Sequence, residues 1–161
     1  MASNIQSKFG TSGQTITVTC ASLANGSARA STAVDNTTTL YLDALVSINI
    51  KTGATGTATT GYINVYAYGT ADGGTNYTEG ATGTDAALTL VSPTNLKLIG
   101  IVNAVANATT YKSGPFSVAA AFGGTMPDHW GIVVQNNTGG ALDATEGSHL
   151  KVYQGVYAQT V

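Results

Sequence analysis

From Leu40 to Lys51 the chain alternates for twelve residues, with Leu45 the one aliphatic residue out of step. Leu40, Leu42, Ala44, Val46, Ile48 and Ile50 share one parity, while Tyr41, Asp43, Ser47, Asn49 and Lys51 take the other. Successive side chains of a strand point to opposite faces, whereas a helical stripe needs a period of about 3.6 residues, so this run specifies a half-buried strand. The same period recurs. Gln14–Ala21 sets Ile16, Val18 and Cys20 against Thr15, Thr17 and Thr19, and Tyr62–Tyr68 sets Ile63, Val65 and Ala67 against Tyr62, Asn64, Tyr66 and Tyr68. Further strands are predicted at Ala87–Val91, Leu96–Val102, Pro115–Ala121, Trp130–Asn136 and His149–Ala158, with no helix. The stretches between them are rich in Gly, Asn, Asp and Ser, which supply turn conformations and local caps. The pattern predicts an all-β fold, an antiparallel two-sheet sandwich. An eight-stranded jelly roll is the preferred version and an immunoglobulin-like sandwich the competitor. Met1–Ser12 lacks alternation and reads as a flexible N-terminal arm, leaving 13–161 as a single domain.

Charge narrows the classes of function. Only 9% of residues are charged and the net charge is −2, against about 25% charged in an ordinary domain. Arg29 is the single arginine, so the basic surface that nucleic-acid binding requires is missing. With 43% hydrophobic residues the chain can build a core, and disorder is not expected. No apolar run reaches the roughly 18 residues of a membrane span. The N-terminal residues lack the charged-then-apolar pattern of a leader, so no secretory signal is expected. One cysteine permits neither an internal disulfide nor a paired-cysteine metal site.

Residues able to carry chemistry are sparse. His129 follows Asp128, and His149 lies near Glu146, but no nucleophile motif accompanies either histidine. Cys20 sits on the apolar parity of its run, where a buried, inert thiol is expected. Glu79 and Glu146 are the only glutamates and the aspartates are scattered, so no glycosidase-like carboxyl pair is apparent. Asp72-Gly73-Gly74-Thr75-Asn76 offers oxygen atoms, but it lacks the ligand spacing of a calcium loop and reads as a turn. No catalytic residue, cofactor or metal ligand is assigned.

Aromatic placement points to contact. Tyr62, Tyr66 and Tyr68 stand opposite Ile63 and Val65, and Tyr153 and Tyr157 stand opposite Val152 and Val156. Tyrosine brings stiff contact area with a polar tip and is enriched at interfaces. Together with Ile5 and Phe9 of the arm, these five tyrosines are the predicted interface, and Trp130 is expected to anchor the core. A surface poor in Lys and Glu also presents little desolvation barrier to permanent association.

Several segments resemble small virion proteins of tailed bacteriophages: Tyr41–Gly53, Tyr62–Gly69, Ser92–Leu96, Gly114–Gly124, Trp130–Asn136 and Tyr153–Ala158. The resemblance extends from about Leu40 to the C-terminus and is closest to capsid decoration, or cement, proteins. It implies a non-enzymatic β-sandwich, a homotrimer on the outer capsid surface that bridges major capsid protein subunits. The protein would be made in the host cytoplasm and carried in the virion, its arm reaching a neighbouring subunit. Host-surface glycans are a further implied partner. Two other readings stand beside this one. The first is a tail, neck or fibre-associated virion protein. The second is a carbohydrate-binding module that stacks sugars on Tyr66, Tyr68 and Trp130.

Overall fold

A computed structural model describes residues 4–160. Eleven strands run in the order β1 (Ile5–Phe9), β2 (Gln14–Thr15), β3 (Ala28–Ala30), β4 (Val34–Asp35), β5 (Asp43–Lys51), β6 (Tyr62–Thr70), β7 (Ala86–Leu88), β8 (Lys97–Asn103), β9 (Thr110–Ser117), β10 (His129–Asn137) and β11 (Leu150–Thr160). They form two antiparallel sheets. The five-stranded sheet has the order β1-β11-β5-β9, with β2 also on β11, and the six-stranded sheet has the order β7-β3-β10-β6-β8, with β4 also on β10. If β1 with β2 counts as one position and β3 with β4 as the next, β7 becomes an added edge. The eight remaining positions then alternate between sheets as 1-8-3-6 and 2-7-4-5, which is the jelly-roll winding.

The core lies between the sheets and follows the alternation. Ala44, Val46, Ile48 and Ile50 of β5 meet Ile63, Val65 and Ala67 of β6, with Ile132 and Val134 of β10 completing the layer. Trp130 is fully buried, and its indole meets the Tyr153 ring edge-on at 5.2 Å. That contact fixes the face of β11. Lys151, Tyr153 and Gly155 point inward, while Val152 and Val156 are only half-buried on the outer face. The two parities are those expected from the sequence, with the inward and outward faces exchanged. Gly155 belongs to the inward row because a Cβ there would lie 2.4 Å from the Tyr41 ring.

Three segments depart from the strand pattern. The Leu40–Lys51 run begins its ladder only at Asp43. Leu40 adopts φ 51° in the turn that follows Asn36, so Leu40 and Leu42 stay 68% and 54% exposed and are not core. Within Gln14–Ala21, Ile16, Val18 and Cys20 are buried as the alternation requires, yet only Gln14–Thr15 joins a ladder. Beyond it the segment crosses from one sheet to the other. The Ile16 N–H donates to the Lys151 carbonyl of β11, and the Thr17 carbonyl accepts from Thr32 between β3 and β4. At Pro115–Ala121 the strand ends at Ser117, whose hydroxyl accepts from the Ala120 N–H and caps one helical turn, α1 (Val118–Ala121). The expected loop before it is part of β9 from Thr110 onward.

Part of the expected arm forms a strand. Ile5–Phe9 pairs with Val156–Thr160 in a regular antiparallel register, although all five residues remain exposed. Met1–Ser3 of that arm lie outside the described residues.

Candidate functional site

The eight carboxylates show how this chain uses its few charges. Every one accepts at least one backbone N–H. Glu146 takes the N–H groups of Cys20 and Ala21 on one oxygen, 2.8 Å each, and the Lys151 ammonium on the other. Asp85 clasps the N–H and hydroxyl of Thr19 together with Arg29. Asp43 accepts from Ser117 and from the Ala119 N–H, which holds α1 against β5. Glu79 gathers the N–H groups of Val91, Asn95 and Leu96 and the Thr94 hydroxyl, which shapes the loop before β8. These bonds favour the ionised form. Asp143 is held down to about 2, chiefly by the Thr145 N–H and the Lys51 ammonium. In Asp85 and Glu146 burial works the other way, but the hydrogen bonds prevail and both lie below the usual range.

Asp72 follows the same rule. Its carboxylate accepts from the Thr70 hydroxyl, the N–H groups of Thr75 and Asn76 and the Asn76 amide. Those donors lower its proton affinity and turn its lone pairs inward, so the loop is built as a turn. Among the described residues no group of three or more His, Cys, Asp or Glu side chains is arranged to hold a metal ion. No helix among them is long and apolar enough to cross a membrane. His129 sits between Asp35 and Asp128, 3.7 and 3.5 Å away. His149 is buried, and its ring bridges the Lys51 N–H and the Asp143 carbonyl. The Cys20 thiol is fully buried, and burial pushes its pKa up to about 12.

The seven predicted interface residues divide by exposure. Ile5 is 73% exposed, Phe9 59% and Tyr62 39%; Tyr157 is half-buried. Tyr66, Tyr68 and Tyr153 are buried. Tyr153 belongs to the main core. Tyr66 and Tyr68 do lie on the outer face of the six-stranded sheet, but the connection between β6 and β8 folds over them. Ala81, Leu96 and Tyr77 cover Tyr66, Tyr68 and Val133 in a second apolar cluster. The Tyr68 hydroxyl donates to the Ser31 carbonyl at 2.6 Å, and burial raises its pKa to about 12. Tyr66, Tyr68 and Trp130 therefore offer no exposed ring on which a sugar could stack.

Two surfaces remain open. The first is the outer face of the five-stranded sheet near β1. Register puts Ile5 and Phe9 on the same side as Val156, Val152 and Leu150 of β11 and Leu45 of β5. The second is the uncovered half of the six-stranded sheet's outer face, where cross-strand pairs place Asn103 and Asn137 on either side of Tyr62, and Ile101 and Gln135 on either side of Asn64. Asn64, Tyr66 and Gln135 join in a closed hydrogen-bonded trio at 3.0 to 3.2 Å. Gln135 also borders a groove of about 360 Å³ walled by Leu88 and Leu90. The amides of this second surface are not marked as a group in the sequence. The parity of Asn64 with Tyr62 and Tyr66 was visible, but its neighbours on β8 and β10 were not.

Comparison of the chain with protein-family models, with curated proteins and with solved structures finds no match in any of the three.

Proposed function

We propose that this chain is a non-enzymatic structural protein of a tailed-phage particle, a decoration protein that binds the outer capsid as a trimer and bridges major capsid protein subunits. The observation that carries the reading is the apolar strip at β1. Ile5 and Phe9 are the most and third most exposed large apolar side chains described, and they lie in line with the half-buried Val156, Val152 and Leu45 on the outer face of the five-stranded sheet. Apolar area left in the open on a small domain marks a contact surface. The charge pattern supports the same use. Arg29, Lys51 and Lys151 are paired internally, whereas Lys8, Lys97 and Lys112 have no ion-pair partner among the described residues and stand on the edge strands β1, β8 and β9. Lysines on sheet edges oppose uncontrolled strand addition while leaving a face free to pack. Jelly rolls are an architecture of viral capsid domains, a parallel of fold that adds to the case by analogy.

Copy number in purified particles tests the proposal. Quantitative mass spectrometry should find hundreds of copies per virion, and light scattering of the isolated chain should find a trimer at all concentrations. A few to tens of copies, or a ring of six or more, would move the protein to the tail or neck. Absence from particles would overturn the reading.

A further inference from the structure

We infer that the open half of the six-stranded sheet's outer face is a binding site for a neutral glycan, which it reads through Asn64, Gln135 and the Tyr62 ring. This inference does not rest on the assembly role, which uses the other sheet. The trio's bonding leaves two atoms over. Asn64 spends its Nδ2 on the Tyr66 hydroxyl and on Gln135 Oε1, and the Tyr66 hydroxyl donates to that same oxygen. Asn64 Oδ1 is thus an acceptor, and Gln135 Nε2 a donor, without a protein partner among the described residues. They belong to adjoining amides whose bonded atoms are 3.1 Å apart. One fixed acceptor beside one fixed donor complements two adjacent hydroxyls, since each hydroxyl can both give and receive a hydrogen bond. Tyr66 is 8% exposed and cannot turn away, so the pair is held in place before any ligand arrives.

The surroundings select the ligand class. Tyr62 lies two residues from Asn64 on the same face, about 7 Å along the strand, and is the one tyrosine there with an exposed ring. Asn103 and Asn137 flank it and extend the amide surface. Among the described side chains of these rows none is charged, so an ionic ligand would lose its hydration without gaining a partner. A neutral, polyhydroxylated ligand with an apolar ring face suits the surface on both counts.

The test is a two-dimensional NMR titration of the ¹⁵N-labelled full chain. The probes are cellohexaose, maltohexaose, mannohexaose and a galacto-oligosaccharide, with sialyllactose and a chondroitin sulfate oligosaccharide as charged controls. At least one neutral sugar should give saturable shifts centred on the side-chain amides of Asn64, Gln135, Asn103 and Asn137. Tyr62→Ala and Gln135→Ala should each weaken that binding tenfold or more, with the oligomeric state and the remaining resonances unchanged. Lack of saturable shifts with all four neutral sugars would overturn the inference, as would shifts confined to another face or equal binding of the charged sugars. Changes in the same resonances on raising protein concentration alone would assign the face to contact between copies instead.

Discussion

Replacing Glu146 by alanine should loosen the crossing segment before it unfolds the sandwich. The carboxylate ties the Cys20 and Ala21 N–H groups to the start of β11 and neutralises Lys151, whose side chain is only 7% exposed. Removing one partner of a buried pair costs about 3–5 kcal/mol, because the remaining charge stays uncompensated. Glu146 itself is 42% exposed, so water can enter and the low end, about 3 kcal/mol, is expected. With a urea m-value of about 2 kcal/mol/M, the midpoint should fall by about 1.5 M. Cys20 provides a second readout, being the single thiol and fully buried directly under the clasp. If the segment opens locally, native-state thiol labelling should accelerate on the order of a hundredfold, since 1.4 kcal/mol is a factor of ten. Adding Lys151→Met should recover about 1–2 kcal/mol by removing the stranded ammonium, while the two N–H groups stay open. A midpoint loss below about 0.5 M with unchanged labelling would refute the clasp.

Acid should destabilise the fold in a defined window. Asp143 is held at about 2, and Asp85, Glu79 and Glu146 also lie below their ordinary values. Folded-state values below unfolded ones give stability that is complete above the unfolded carboxylate range of about 4 and is lost as pH falls through the folded values. Melting followed by circular dichroism should therefore be level from pH 7 to about 5 and fall steeply below 4; a level profile down to pH 3 would contradict it. Gly155→Ala should cost about 1–3 kcal/mol by overpacking against Tyr41, whose ring lies 2.4 Å from the new Cβ. A thermal scan would show that as a loss of about 2–4 °C per kcal/mol, and an unchanged midpoint would mean that the ring has room. Ile5→Ser with Phe9→Ser should leave stability within about 0.5 kcal/mol, because both side chains are exposed, but abolish attachment to undecorated capsids. Undiminished co-sedimentation with such shells would remove these residues from the interface.

For β5 and β6, period-two alternation was enough to determine strand character and the division into two faces, since pleating alone imposes that division on any extended chain. Composition likewise bounds the number of charges whatever the fold. Parity carries no sign, however. Whether Tyr153 or Val152 points inward was decided by Trp130 on the opposite sheet, and whether Tyr66 and Tyr68 stay exposed was decided by the connection that folds over them. The segment at Ile16–Ala21 has the side-chain pattern of a strand, but its N–H groups find Asp85 and Glu146, which are 66 and 126 residues away. Ile5–Phe9, without alternation, becomes a strand because the far end of β11 offers a free edge. A hydrogen-bond ladder needs only backbone and therefore leaves no local mark, and a clasp over such separations exists only once the two sheets have closed.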